Sequence, residues 1–174
     1  MSSEPTRRDF TIRLAALGAL AIAGDARRLH AQDDGVKHDA EAIHQEVQIP
    51  APPAKVYAAL TDAATFTKMT TFSMVKDAPP AKIDAVAGGA FSLFGGHIEG
   101  RTIELVADAR VVQAWRAADW QPGWYSIARF VLNAKNGGTL IVFDHVGFPA
   151  GQGAHLAMGW QMNYWGPMKQ ALAG

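Results

Sequence analysis

Lys135-Asn136-Gly137-Gly138-Thr139-Leu140-Ile141-Val142-Phe143-Asp144-His145-Val146, followed after Phe148-Pro149 by an uninterrupted run from Gln152 to Leu172, decides the fold of this chain. Asn and Gly tolerate the positive φ that tight hairpins demand, so Asn136-Gly137 turns the chain back and Thr139–Val146 lies antiparallel to what precedes it. Gln152 to Leu172 carries no turn dipeptide, and Leu156, Trp160, Asn163, Tyr164, Pro167 and Ala171 fall on one helical stripe. That spacing predicts one long closing helix, which Pro167 bends or brings to its last turns.

Upstream of the hairpin, Ala90–Phe94, Ile98–Val106, Val111–Arg116 and Tyr125–Leu132 are apolar or alternating runs. They are separated by Gly-Gly, Ala-Asp-Ala and a Trp-rich loop, links short enough to force antiparallel neighbours. Earlier still, Ile43–Ile49 alternates as a half-buried strand and stops at Pro50. Pro52 and Pro53 then open a helix, since the ring's fixed φ suits a first turn and its missing N–H is not needed there. Val56, Tyr57 and Leu60 give it an apolar face, Asp62 caps a second short helix over Ala63–Met69, and Asp77-Ala78-Pro79-Pro80 is a loop. The pattern reads as α+β: a curved antiparallel β-sheet of about six strands wrapped around a long C-terminal α-helix, with two short helices after the first strand. This is a helix-grip fold.

Composition narrows the function. The 174 residues are 49% hydrophobic and 18% charged, as in one globular domain. With no Cys, disulfides, thiolate metal sites, iron–sulfur clusters and a Cys nucleophile are excluded. Lys+Arg and Asp+Glu balance at 16 each and no basic patch with interleaved aromatics occurs, which argues against nucleic acid.

Thr6-Arg7-Arg8-Asp9-Phe10 precedes the weakly apolar run Leu14–Gly24, a layout that resembles a twin-arginine export signal. Its 11 residues are too few to span about 30 Å of hydrocarbon, so no stable membrane span is expected after cleavage. Residues 1–31 are read as the signal, cut after Ala23 or Ala31, residues 32–42 as a flexible leader, and residues 43–174 as the helix-grip domain. The expected location is periplasmic or otherwise exported. Losing residues 1–31 removes five basic and three acidic groups and leaves 11 against 13, a mildly acidic domain.

A bent sheet is not filled completely by one helix at its mouth, so a cavity between them is expected. Candidates for its lining are Phe91, Glu104, Trp115, Trp124, Ser126, Phe130, Phe143, His145, Trp160 and Tyr164. The five tryptophans read first as core packing. Trp115 and Trp160 belong at the sheet–helix junction, and Trp120 and Trp124, beside a Pro-Gly loop, lid the mouth. His145 shares strand parity with Ile141 and Phe143 and points inward if Asp144 keeps to water. Glu104, in parity with Gly100 and Thr102, also faces inward, and a carboxylate beside an imidazole can do acid–base work. A hydrogen-bonded pair that merely fixes the core outweighs that reading. His44, His97 and His155 share no ligand spacing, and neither a metal nor a cofactor is expected. Gly88-Gly89 and Gly95-Gly96 bracket a short strand as sharp corners; a phosphate cradle would run into a helix instead.

Gly88-Gly89-Ala90-Phe91-Ser92-Leu93-Phe94-Gly95-Gly96-His97-Ile98-Glu99-Gly100, Val111–Arg116, Trp120, Tyr125-Ser126 and Gly159-Trp160 with Tyr164 and Pro167 together resemble the carboxy-terminal domain of the heat-shock-protein-ninety ATPase activators. The resemblance covers residues 43 to 172 and implies membership of the wider START/Bet v-like (SRPBCC) helix-grip superfamily. In eukaryotic-type activators a separate amino-terminal domain engages the chaperone, whereas a signal-like segment stands before the domain here. Three functions follow, in this order: a binding module for a small hydrophobic or amphipathic ligand, a cavity enzyme using His145 and Glu104, and a protein-interaction module of the activator type.

Overall fold

The computed structural model describes residues 41–173. The expectations of a signal and of most of the leader fall on residues outside that range. Seven antiparallel strands form one sheet in the order β1-β7-β6-β5-β4-β3-β2. They are β1 (Ala42–Ile49), β2 (Lys82–Ile83), β3 (Ala90–Leu93), β4 (Ile98–Val106), β5 (Arg110–Ala117), β6 (Ser126–Lys135) and β7 (Gly138–Val146). The strand that the sequence did not announce is β2, two residues long and held only by pairing with Phe91 and Ser92. So short a strand carries no periodicity.

Helices α1 (Pro53–Thr61) and α2 (Ala63–Thr70) fill the crossover from β1 to β2. Pro53 occupies the first turn of α1 as expected, and the Asp62 carboxylate accepts from the Thr65 N–H at 2.8 Å and from its hydroxyl at 2.6 Å, capping α2. Those hydrogen bonds hold the Asp62 carboxyl below its ordinary range. The closing helix runs as α3 (Gly153–Trp160), a π-helical turn (Gln161–Trp165) and α4 (Gly166–Leu172). The wide turn ends two residues before Pro167, whose ring in a regular helix would meet the carbonyl four residues back. Pro167 thus causes a change of winding rather than an end.

On the sheet's inner face the alternation is strict along β5, β6 and β7, where Val111, Trp115, Ala128, Phe130, Ile141, Phe143 and His145 are buried. Asp144 faces outward. It accepts from His44 on β1 at 2.7 Å and from Arg129 on β6 at 3.0 Å, its directly paired neighbours in both flanking strands. The His44 bond first, and Arg129 second, hold its carboxyl below the usual value. Gly100 lies on β4 where Phe91 crosses. A β-carbon there would run into the Ala114 carbonyl and the Phe91 ring. Gly100→Ala is therefore expected to lose about 2 kcal/mol, measured as a shift of the urea midpoint; an unchanged midpoint would mean the sheet yields there without strain.

Candidate functional site

Seven of the ten sequence candidates fall into three groups, and Phe91, Trp124 and Glu104 stand apart. Phe130 and Phe143 are fully buried and pack against Trp160 and Trp165 of the terminal helix, with centroid separations from 4.5 to 6.1 Å. The space between β6–β7 and the helix is thus solid aromatic core. The expected hollow is therefore absent from the stretch over β6 and β7. The helix packs on the β1 side of the sheet, and α1 covers β5, β6 and β7. What stays uncovered is the far end, where β4 begins and β5 finishes.

There a cavity of about 440 Å³ opens. The 3₁₀ turn Phe94–Gly96 and Ile98 form one wall, Trp115, Ala117 and Trp120 another, and the helix from His155 to Tyr164 the third. Of the ten candidates Trp115, Trp160 and Tyr164 line it. His97, Asp119, His155 and Met158 are exposed at its rim. Trp120, expected at the mouth, lines the cavity, and its indole N–H donates to Gln152 Oε1 at 3.0 Å across the cavity wall. The other lid candidate, Trp124, donates to the Gly147 carbonyl at 3.0 Å and is not among the lining residues. Phe91 is buried beneath a separate shallow groove along β3 and β4.

Ser126 and His145 form the third group, a closed polar circuit in the core. Ser126 Oγ donates to the Trp115 carbonyl at 2.8 Å, so it accepts from His145 Nε2 at 2.7 Å. Nδ1 is then the free acceptor and takes the Trp160 indole N–H at 3.1 Å. Every proton has a partner with the imidazole neutral, and burial lowers its pKa to about 4. His145 does point inward, as its parity implied. Its partners are a serine and an indole.

Glu104 does not join it. A bulge between Thr102 and Glu104 shifts the register, so that Thr102 pairs with buried Gln113 while Glu104 pairs with Val112 on the outer face. There it accepts two bonds from Arg110, at 2.6 and 3.0 Å, and this contact holds its carboxyl below the usual range. An extra residue in a strand inverts the parity of everything beyond it, and no residue type in the run marks it. The imidazole–carboxylate pair of the enzyme reading is therefore corrected: the two groups lie on opposite faces of the sheet.

Phe94 is the site's strained residue. It holds a φ of 50°, rare for a bulky side chain, while its ring packs edge-on against Phe66 at 5.5 Å and Tyr164 at 5.7 Å. These aromatics fix the cavity wall at the end nearest Tyr164. Among the described residues no helix is long and apolar enough to cross a membrane.

Comparison with known proteins matches residues 50–173 to the family described as "Activator of Hsp90 ATPase homolog 1-like protein". The human "Activator of 90 kDa heat shock protein ATPase homolog 1" is 31% identical over 91 residues, 52% of this chain and 27% of the human protein. The chain thus matches about a quarter of the length of that relative. An uncharacterised Schizosaccharomyces pombe protein is 30% identical over 110 residues, 63% of this chain and 31% of its own. Among solved structures, an HSP90 activator from Plasmodium falciparum superposes with a TM-score of 0.67 at 26% identity, covering 76% of this chain and 96% of that one. The Aha1 dimer from Colwellia psychrerythraea has the same fold at 22% identity, with a TM-score of 0.59 over 76% of this chain and 96% of its own. With its seven-stranded helix-grip sheet and a family match running from the first helix to the last, the chain belongs to the Activator of Hsp90 ATPase homolog 1-like family.

Proposed function

We propose that the domain holds a small hydrophobic or amphipathic molecule in the cavity at the β4–β5 end of the grip. The observation that carries this reading is the cavity itself, about 440 Å³, walled by Phe94, Ile98, Trp115, Leu156 and Trp160 with polar groups at its rim. Ligand sites are commonly concave, mostly apolar and furnished with few polar groups.

Gly159 supplies a test. It lines the cavity on the terminal helix, and a β-carbon there meets nothing within 4 Å. Leucine at this position projects into open space and also removes a helix-interior glycine, which favours folding by a few tenths to about 1 kcal/mol. Gly159→Leu is expected to melt no lower than wild type and to bind 1-anilinonaphthalene-8-sulfonate at least about ten-fold more weakly, as for a filled pocket. Wild-type protein that shows no saturable binding of the dye would remove the proposal.

A second reading has its own support. Phe72, Met74, Met158 and Met162 are exposed, at 45%, 63%, 61% and 41%, and both Met158 and Met162 line the cavity mouth. Flexible methionines suit adaptable protein contacts. With the family match this favours an interaction module of the activator type, checked by ATPase assay of a purified chaperone of the ninety-kilodalton class with the domain in excess. Stimulation lost in Met158→Lys/Met162→Lys would assign it to this lip. Export is proposed on Arg7 and Arg8 with the run Leu14–Gly24. Periplasmic fractionation of the wild type and of Arg7→Lys/Arg8→Lys checks it, the double variant remaining inside the cell.

A further inference from the structure

Three buried side-chain polar atoms lack a hydrogen-bond partner among the described residues: Trp115 Nε1, Tyr164 Oη and Arg116 Nε. Two of the three belong to residues that line the cavity. Trp115 and Tyr164 are only 3% and 5% exposed, and these two polar atoms are closed off from bulk solvent. Buried donors without partners are uncommon in folded proteins, and a pair of them on one cavity calls for an explanation.

The chemistry of the pair is one-sided. An indole N–H only donates. The Tyr164 phenol is pushed well above its ordinary pKa by burial, so it stays protonated and keeps its O–H to give. The Trp115 N–H acts against that rise, yet the two groups make no hydrogen bond of acceptable geometry. Were a small shift to close that approach, Trp115 would be satisfied and the phenol proton would still have no acceptor.

Resting on the cavity reading above, we propose that the bound molecule carries a neutral carbonyl oxygen on an apolar body, and that this oxygen is received by the Tyr164 O–H with the Trp115 N–H beside it. Neutrality follows from the rest of the lining. It contains neither Lys nor Arg, its only basic side chains are the rim imidazoles of His97 and His155, and its one carboxylate, Asp119, repels an anion. Phe94, Ile98 and Leu156 take the apolar body. The oxygen reaches the two donors by movement of lining side chains, for which the flexible Met158 and Met162 give room.

The test compares three probes of one chain length, nonane, 2-nonanone and nonanoate, as competitors of the bound dye at pH 7.5, with the indole N–H resonances followed by NMR. The ketone is expected to bind about ten-fold or more tighter than the alkane, since satisfying an orphaned donor recovers that much. The Trp115 indole proton shifts with the ketone and not with the alkane. In Tyr164→Phe the preference for the ketone falls to within about two-fold while nonane binds as before, which also shows that the variant is folded. Equal binding of ketone and alkane by wild type would overturn the carbonyl anchor and leave the apolar cavity standing. Nonanoate binding tighter than the ketone would overturn the neutrality. If none of the three competes although the dye binds, the inference fails; if the dye does not bind either, the cavity reading fails first.

Discussion

Trp160→Ala is expected to lose about 5 kcal/mol of folding stability, close to all that a domain of this size possesses. The indole is 2% exposed and sits among Phe143 at 4.5 Å, Tyr164 at 4.2 Å, Trp115 at 5.6 Å, Phe130 at 5.7 Å and Trp165 at 5.7 Å. Truncation opens a void where facing rings of the sheet and the helix meet, and relaxed collapse is hard because those rings are held from other sides. It also takes the donor from His145 Nδ1, leaving a buried acceptor unpaired. Trp160→Phe separates the two losses. Most of the volume stays, the hydrogen bond goes, and about 2 kcal/mol should be lost. Urea unfolding followed by circular dichroism measures both. A cooperative Trp160→Ala protein with a midpoint near wild type would show that the helix is held to the sheet elsewhere, for instance by Trp165, whose indole donates to Gln45 on β1.

The elements that depend on local chemistry were readable from the chain. Asn136-Gly137 adopts the positive φ its residue types allow, 52° and 72°, and the alternating run after it is β7. Asp62 and Pro53 mark helix starts because capping and a fixed φ act within one turn. What could not be read depends on distant parts. The bulge that turns Glu104 outward is set by pairing with β5, and β2 exists only because β3 offers an edge. The cavity's position follows from where the terminal helix lands across the sheet. The stripe Leu156–Ala171 shows that the helix has an apolar face and says nothing about which strands it covers. For that reason Trp115, Trp160 and Tyr164 were found and Phe94, Ile98, His97 and Asn163 were not. The polar circuit shows the same division. Parity put His145 inside, but Ser126 and Trp160 as its partners required β6 and the helix to be placed.

Stability is expected to fall by about 3 kcal/mol between pH 6.5 and pH 4, well before most carboxylates protonate, because of His145 alone. Folded, this imidazole has a pKa lowered from 6.5 to about 4 by burial; unfolded, it returns to 6.5. Between those values the unfolded chain binds a proton that the folded one refuses, so acid favours unfolding across that window and the loss is complete once the pH drops through the folded value. The carboxylates act lower. Asp62, Asp144 and Glu104 have folded pKa values below ordinary ones of 3.8, 3.8 and 4.5, so their contribution is present above those values and is lost beneath them. His145 is the one fully buried histidine among the described residues, which leaves it as the group whose burial sets the first acid limb. His145→Gln offers one donor and one acceptor in its place. The variant should be less stable than wild type by about 1–2 kcal/mol at pH 8, through imperfect geometry, yet flat from pH 6.5 to 4. Because the wild-type loss of about 3 kcal/mol exceeds that deficit, the two stability curves should converge as the pH falls and cross before pH 4. Wild type that keeps its full stability down to pH 4.5 would mean that the imidazole is hydrated or charged in the fold, and the circuit linking Ser126, His145 and Trp160 would then have to be abandoned. Protonated, His145 has no acceptor role left at Nδ1 and would face the Trp160 N–H donor to donor, so the closing helix is where acid should first loosen the domain.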